Sequence, residues 1–187
     1  GVHLVDDHLA LHAAEIAVFE GRDVPFFGWH YPPFFLMIAA LLALMPYALA
    51  LLCWLAVSLP AFMAAVHAIV PRRETWLATA AFPAVFVNVG HGQNAFFTAA
   101  LLGGFLTLLN PRPVLAGVLL GLLSYKPQFG VLIPLVLLVT GRWSTILSAT
   151  ATVAALIGAS TLLFGMSVWH AFAESATFTR TIVLEAG

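Results

Sequence analysis

A short polar turn at residues 91–94 separates two apolar stretches and carries groups that bind oxygen-rich ligands. The turn reads His-Gly-Gln-Asn, so the imidazole of His91 lies close to the amides of Gln93 and Asn94. Amides donate and accept hydrogen bonds at once, which suits sugar hydroxyls and phosphate oxygens. These three residues are candidate binding residues. The alternative is a plain polar hairpin between two helices.

A second polar turn contains Lys126, the only lysine of the chain, between two short apolar stretches. A lysine at a helix break near a membrane surface can hold a phosphate as a compact point charge. Pro127 frees backbone groups, which membrane proteins tolerate where these groups face a cavity. Lys126 and Gln128 are therefore candidate binding residues. The alternative for Lys126 is a lysine that anchors a helix end by reaching to the membrane interface.

The first 29 residues contain five of the eight acidic residues of the chain. A carboxylate there could act as general base toward an acceptor hydroxyl, and Asp6 and Asp7 are weak candidates. The apolar residues of this segment recur at intervals of three and four, which predicts an interfacial amphipathic helix whose carboxylates face water. His8 and His12 share one helical face, but no third ligand follows at a set spacing, so no metal site is predicted.

The stretch GWHYPPFF, residues 28–35, places a histidine and a tyrosine before two prolines where the long apolar part begins. The prolines keep the preceding backbone extended and favour the start of a helix after them. His30 and Tyr31 are predicted to lie at the edge of a cavity near the two polar turns, as further binding residues.

Composition identifies the elements that must position these groups. Of the 187 residues, 62% are hydrophobic and 8% are charged, against about 25% charged residues in soluble domains. Residues 24–71, 75–111 and 143–173 contain no charged side chain. Since a spanning helix needs about 20 apolar residues, the chain is predicted to be an all-α membrane protein. Its net charge of −1 argues against a nucleic-acid partner, which requires a basic surface.

Prolines, glycines and charges divide the apolar part into about six spans and one shorter helix. Residues 33–45 lie between Pro32 and Pro46 and are too few to cross alone, which predicts an in-plane or re-entrant helix. Full crossing by this segment is the alternative. The expected regions are an extracytoplasmic loop with an interfacial helix (1–31), a transmembrane helical region (32–166) and an extracytoplasmic segment (167–187).

The positions of the arginines predict the orientation. Short loops rich in arginine stay in the cytoplasm, and strict alternation of the spans places all the mid-chain arginines there: Arg72, Arg73, Arg112 and Arg142. The two polar turns then share the opposite, extracytoplasmic face. Because polar groups beside apolar spans are costly and mark pathways or sites, that face is the candidate site.

Read in order, the stretches GWHYPPFFLM, FPAVFVNVGHGQNAFFTAALLGG and RPVLAGVLLGLLSYKPQFGVLIPLVLL resemble glycosyltransferase family 87, whose known members include polyprenyl-phosphate-mannose-dependent mannosyltransferases. The resemblance covers nearly all of the chain. It implies a multispan helical bundle of the C-type glycosyltransferase kind, with an extracytoplasmic active site. The catalytic carboxylate of the family follows the first transmembrane helix and is expected upstream of Gly1. This chain begins with Gly1 and has no starting methionine, so it is expected to be a fragment of a longer protein.

The predicted function is transfer of a sugar, mannose by resemblance, from a polyprenyl-phosphate donor to a lipid or glycan acceptor. Lys126, His91 and Gln93 would stabilise the phosphate as it leaves, because charge develops on it in the transition state. Membrane lipid, the lipid-linked donor and the acceptor are the expected partners, in a bacterial cytoplasmic membrane. No cofactor is predicted, and a requirement for a divalent metal stays open. The rival class is a transporter or channel subunit with a polar cavity at one face.

Overall fold

The computed structural model describes residues 8–18, 29, 31–130 and 132–175. Regular structure in this part of the chain is helical, without strands, which confirms the predicted all-α class. Residues 167–175 are helical. The other α-helices are α1 (His8–Val18), α2 (Leu36–Leu42), α3 (Tyr47–Ile69), α4 (Glu74–Ala80), α5 (Pro83–His91), α6 (Ala95–Leu108), α7 (Pro113–Leu122), α8 (Leu132–Val139) and α9 (Trp143–Phe164).

Two of the described helices, α3 and α9, are long and apolar enough to cross a membrane. They contain 23 and 22 residues, so each is roughly 33–35 Å long at about 1.5 Å per residue. This length exceeds the roughly 30 Å hydrocarbon core of a bilayer. Few of their residues are buried, unlike those of the core helix of a soluble domain. The other predicted spans correspond to shorter helices, so the number of about six stays a prediction.

Two prolines act differently in the apolar stretches. Pro60 lies within α3, which continues past it, whereas Pro83 is the first residue of α5 and separates it from α4. A proline has no backbone N–H and has a fixed φ, so it fits best at the first position of a helix. Residues 74–91 therefore form two short helices instead of one. The predicted short helix after Pro32 is present as a 3-10 turn, Pro33–Phe35, followed by α2.

The chain divides into two compact units, with the first formed by Gly1–Ile38 and Leu156–Gly187 and the second by Ala39–Ala155. In the first unit, the 3-10 turn after the two prolines is buried at Phe34, whose ring lies 6.3 Å from that of Trp169. Val168 beside it is 1% exposed. The helix over 167–175 therefore packs against the turn.

The second unit has an apolar core between α6, α7 and α8, in which Phe105, Ala116 and Leu137 are buried. Helices α3 and α6 run parallel, because Trp54 contacts Phe97 near their beginnings and Ala65 approaches Gly103 further along. A side chain added at Gly103 would place its Cβ 3.2 Å from the Ala65 Cβ. The glycine therefore sets how closely α3 and α6 approach.

Helices α7 and α9 pack even more closely, through the GVLLG stretch of α7. A methyl group on Gly121 would lie 2.5 Å from the Thr152 Cβ, and one on Gly117 would overlap the Ser148 hydroxyl. The Ser148 hydroxyl donates to the Val114 carbonyl at 2.7 Å. Small residues four apart permit such contact between helices in membranes, where interhelical hydrogen bonds add stability.

The helix directions give the second unit two ends of different chemistry. The lysine end consists of the turns at 91–94 and 123–130. The arginine end consists of the segments that carry the mid-chain arginines, at 70–74, 109–112 and 140–142. Thr145 donates to the Pro113 carbonyl at 3.1 Å, which brings the beginnings of α7 and α9 together at the arginine end.

Candidate functional site

The amide turn at the lysine end is held in shape by its own backbone. Gly92 ends α5 in the left-handed region, at φ 61°, a conformation that glycine adopts without the strain of a Cβ. The turn is closed by a reciprocal pair of bonds: the Gln93 N–H donates to the Asn88 carbonyl at 3.3 Å, and the Asn88 amide donates to the Gln93 carbonyl at 3.2 Å. Asn88 is buried, so this buried amide fixes the turn.

The amide turn presents two of its polar side chains to the outside and buries the third. His91 and Gln93 are exposed, whereas Asn94 is 8% exposed. The Nδ1 atom of His91 lies 2.8 Å from the Val87 carbonyl oxygen. In the tautomer that donates this bond, the other ring nitrogen accepts hydrogen bonds unless the ring is protonated. The side chains of His91 and Gln93 are thus accessible from outside the turn, whereas that of Asn94 is buried, and their predicted binding roles stay predictions.

Lys126 lies between two 3-10 turns, Leu123–Tyr125 and Pro127–Gly130. Its backbone is bonded on both sides: its N–H donates to the Leu123 carbonyl at 3.0 Å, and its carbonyl accepts from the Phe129 N–H at 3.2 Å. The side chain is half-buried, and Gln128 is exposed. The position of the lysine is therefore set by the turns on both sides.

Burial also affects the charge of this lysine. It lowers the pKa of the Lys126 ammonium below the usual value, because desolvation penalises the charged form. No acidic residue occurs between Glu74 and Glu174, so this long stretch supplies no carboxylate to balance the charge. An anionic ligand would both compensate the charge and favour the protonated form.

A side-chain hydrogen bond joins the two turns. The Tyr125 hydroxyl lies 2.7 Å from Thr98 Oγ1, and the Thr98 hydroxyl donates to the Asn94 carbonyl at 3.0 Å. Tyr125 is 1% exposed. The residue before Lys126 is therefore connected, through one threonine, to the last residue of the amide turn.

An aromatic row provides a second connection. The ring of Phe97 lies 5.7 Å from that of Trp54 and 5.9 Å from that of Tyr125. Such separations are within the range of favourable aromatic contacts. The Trp54 indole N–H points to the Gln93 carbonyl at 3.5 Å, the long limit of a hydrogen bond. Helix α3 thereby contributes an aromatic side chain beside the amide turn.

Five of the predicted binding residues lie in the second unit, at its lysine end: His91, Gln93, Asn94, Lys126 and Gln128. Tyr31 belongs to the first unit. There the Trp29 indole donates to the Tyr31 carbonyl at 2.9 Å, and the Tyr31 ring lies 4.8 Å from that of Phe35. The cavity predicted to unite Tyr31 with the two turns stays a prediction. Asp6, Asp7 and His30 lie outside the described residues.

The residues that connect the turns, Thr98 and Tyr125, have no predicted role in the sequence analysis above. Thr98 follows Asn94 by four positions in a helix, the spacing at which a threonine bonds back to the preceding turn. Tyr125 directly precedes Lys126. These local spacings were available signals, whereas the contact between Thr98 and Tyr125 depends on how α6 and α7 align.

The lysine end can stabilise an anion and bind hydroxyls. A transfer reaction also needs a base, and the only carboxylate in the sequence of the second unit is Glu74, at the arginine end. The base would therefore come from outside this unit. Among the described residues, no three histidine, cysteine, aspartate or glutamate side chains group together as metal ligands.

Comparison with known proteins bears on the kind of transfer. Residues 29–187 match the family model of glycosyltransferase family 87. The matched range includes both turns at the lysine end and the connections between them, and it excludes Asp6 and Asp7. No curated protein and no solved structure matches the chain.

Proposed function

The chain belongs to glycosyltransferase family 87 and is therefore a membrane glycosyltransferase, and from this premise we propose that it transfers mannose from a polyprenyl-phosphate donor. The acceptor is a lipid or a glycan on the extracytoplasmic face. The observation that carries the proposal is the meeting of the lysine turn and the amide turn at one end of a single packed unit.

In the proposed reaction, an acceptor hydroxyl attacks the anomeric carbon of the donor sugar. A new carbon–oxygen bond forms as the bond between that carbon and the phosphate oxygen breaks, and the polyprenyl phosphate leaves with the bonding electrons. The hydroxyl proton passes to a carboxylate outside the second unit. No nucleotide takes part in this step.

Lys126 has the main role at the leaving group. Negative charge grows on the phosphate in the transition state, and donors fixed beforehand at that point stabilise it without reorganisation. The ammonium of Lys126 supplies a full charge in a partly desolvated position, where electrostatic interactions are stronger than in water. His91 and Gln93 supply directional hydrogen bonds to phosphate or sugar oxygens.

The isoprenoid chain of the donor would remain in the bilayer beside the apolar helices. Large exposed hydrophobic side chains on α3, among them Leu52 and Val57, offer a surface for it. The extracytoplasmic location rests on the charge distribution, because arginine-rich loops remain in the cytoplasm and the lysine end is the opposite end of the unit. A bacterial cytoplasmic membrane is the proposed setting.

The experiment is a transfer assay with the full-length protein in lipid vesicles. We expect labelled mannose to move from mannosyl polyprenyl phosphate to a lipid or glycan acceptor, with no transfer from a nucleotide sugar when the lipid donor is omitted. Glucosyl polyprenyl phosphate serves as the control for the sugar. Efficient transfer from the nucleotide sugar alone would contradict the donor class, and preference for the glucosyl donor would contradict the sugar.

A further inference from the structure

We propose that Tyr125 and Thr98 are positioning residues, which hold Lys126 at a fixed place relative to the amide turn through the hydrogen-bonded chain from Tyr125 to Thr98 to Asn94. The proposal rests on the proposed function, since it concerns how the phosphate-binding lysine is aligned. Neither residue is required to touch the substrate.

The direction of the chain follows from the number of hydroxyl protons. Thr98 has one hydroxyl proton and donates it to the Asn94 carbonyl at 3.0 Å. The Tyr125 hydroxyl, 2.7 Å from Thr98 Oγ1, must then be the donor of the second bond. Thr98 thus accepts from the lysine turn while donating to the amide turn, and the two bonds polarise each other in the same sense.

The surroundings make this connection stiff. Tyr125 is among the largest fully buried side chains of the described residues, and its ring packs against Phe97, the neighbour of Thr98. The Tyr125 backbone continues directly into Lys126, whose own N–H is bonded to the Leu123 carbonyl. A shift of Tyr125 would therefore shift the lysine, and small displacements of a group that stabilises a transition state cost large factors in rate.

The test is a double-mutant cycle in the full-length enzyme. Tyr125→Phe keeps the ring and removes the hydroxyl, and we expect it to lower kcat about tenfold, as expected for the loss of one aligned hydrogen bond, with little change in the KM for the acceptor. In the Lys126→Ala background the same substitution should have no further effect, because there is no lysine left to align.

Thr98 provides the second arm of the test. Thr98→Val should reduce kcat to a similar extent, the double variant with Tyr125→Phe should be no worse than either single variant, and Thr98→Ser should restore transfer. Thr107→Val is the matched control, since Thr107 lies on the same helix and donates to the Gly103 carbonyl at 2.9 Å in the same way. It should leave kcat unchanged.

The outcomes separate the two proposals. Losses from Tyr125→Phe and Lys126→Ala that multiply independently would overturn the positioning role, as would an equal loss in Thr107→Val. If the wild-type enzyme transfers sugar from a lipid donor and the two losses are independent, this inference is overturned and the proposed function stands. No transfer from any polyprenyl-phosphate donor by the wild type would overturn both.

Discussion

The two ends of the second unit carry the same kind of charge in different settings. At the arginine end, Arg72, Arg73 and Arg112 are exposed. At the lysine end, the one cation is half-buried, its pKa is lowered by burial, and the polar groups around it are bonded to one another. Exposed arginines are solvated and inexpensive to place, whereas a half-buried lysine carries a desolvation cost.

This difference is the one expected between charge that orients the chain and charge that performs chemistry. The hydroxyls at the arginine end donate to backbone carbonyls where helices pack, as Thr145 does to Pro113. Those at the lysine end link one polar turn to the other. A desolvated cation in a cross-linked polar setting is typical of functional sites, and the arginine end provides the matched comparison.

The largest expected effect comes from removing one cation at each end. Lys126→Ala should lower kcat for sugar transfer by about 10²- to 10³-fold, the loss typical of removing a preorganised transition-state donor. Arg112→Ala should change kcat by less than about twofold, because Arg112 is exposed and exposed charges contribute little. Initial rates of the full-length variants in vesicles measure both. Equal losses at the two ends would remove the distinction between them.

A smaller effect, on the free energy of unfolding, is expected where α7 packs against α9. Gly121→Ala should lower the free energy of unfolding by about 1–3 kcal/mol, since the added methyl meets Thr152 and a backbone oxygen. Gly158→Ala is the matched control, because nothing lies within 4 Å of its added Cβ. It should stabilise the helix by about 0.5–1 kcal/mol. Thermal unfolding in detergent checks the pair, and similar melting temperatures would argue against close α7–α9 packing.

Exposed amides at the two ends give a third comparison. Gln93→Ala should lower kcat/KM for the donor about tenfold, through the loss of a hydrogen bond to a charged ligand. Asn110→Ala, an exposed amide at the arginine end, should have no measurable effect. Steady-state kinetics with varied donor concentration distinguishes them. An unchanged kcat/KM in Gln93→Ala would exclude that side chain from the site.

The smallest effect is a shift in pH dependence. The phosphate requires the protonated lysine, and burial lowers the pKa of Lys126, so kcat/KM should fall with rising pH below the ordinary lysine value of about 10.4. Lys126→Arg keeps its charge in this range and should lose that alkaline limb. A pH–rate profile for both enzymes checks this, and an identical alkaline limb would assign the titration to another group.

The ends of the long helices were predictable from sequence because proline, glycine and charge mark them. Pro46 directly precedes α3, which begins at Tyr47, and Gly92 ends α5 as a turn glycine should. The break at Pro83 could not be predicted. The sequence shows where a proline lies, but it does not show whether the helix continues past that proline, as α3 continues past Pro60.

The polar turns of the candidate site could likewise be found from residue types, because histidine, amides and lysine stand out in an apolar chain. Their connection could not. Thr98 and Tyr125 are 27 residues apart, and their contact depends on the alignment of α6 with α7, which is set by packing around buried residues such as Phe105 and Ala116. Local patterns do not encode that alignment.

The most direct test of the central claim is to locate the donor phosphate. A polyprenyl-phosphate probe with a photoreactive group next to its phosphate would be crosslinked to the full-length enzyme and mapped by mass spectrometry. We expect label on residues 91–98 and 123–130, reduced by excess mannosyl polyprenyl phosphate. Label confined to the arginine end, at 70–74, 109–112 and 140–142, and reduced by the same competitor would contradict a donor site at the lysine end.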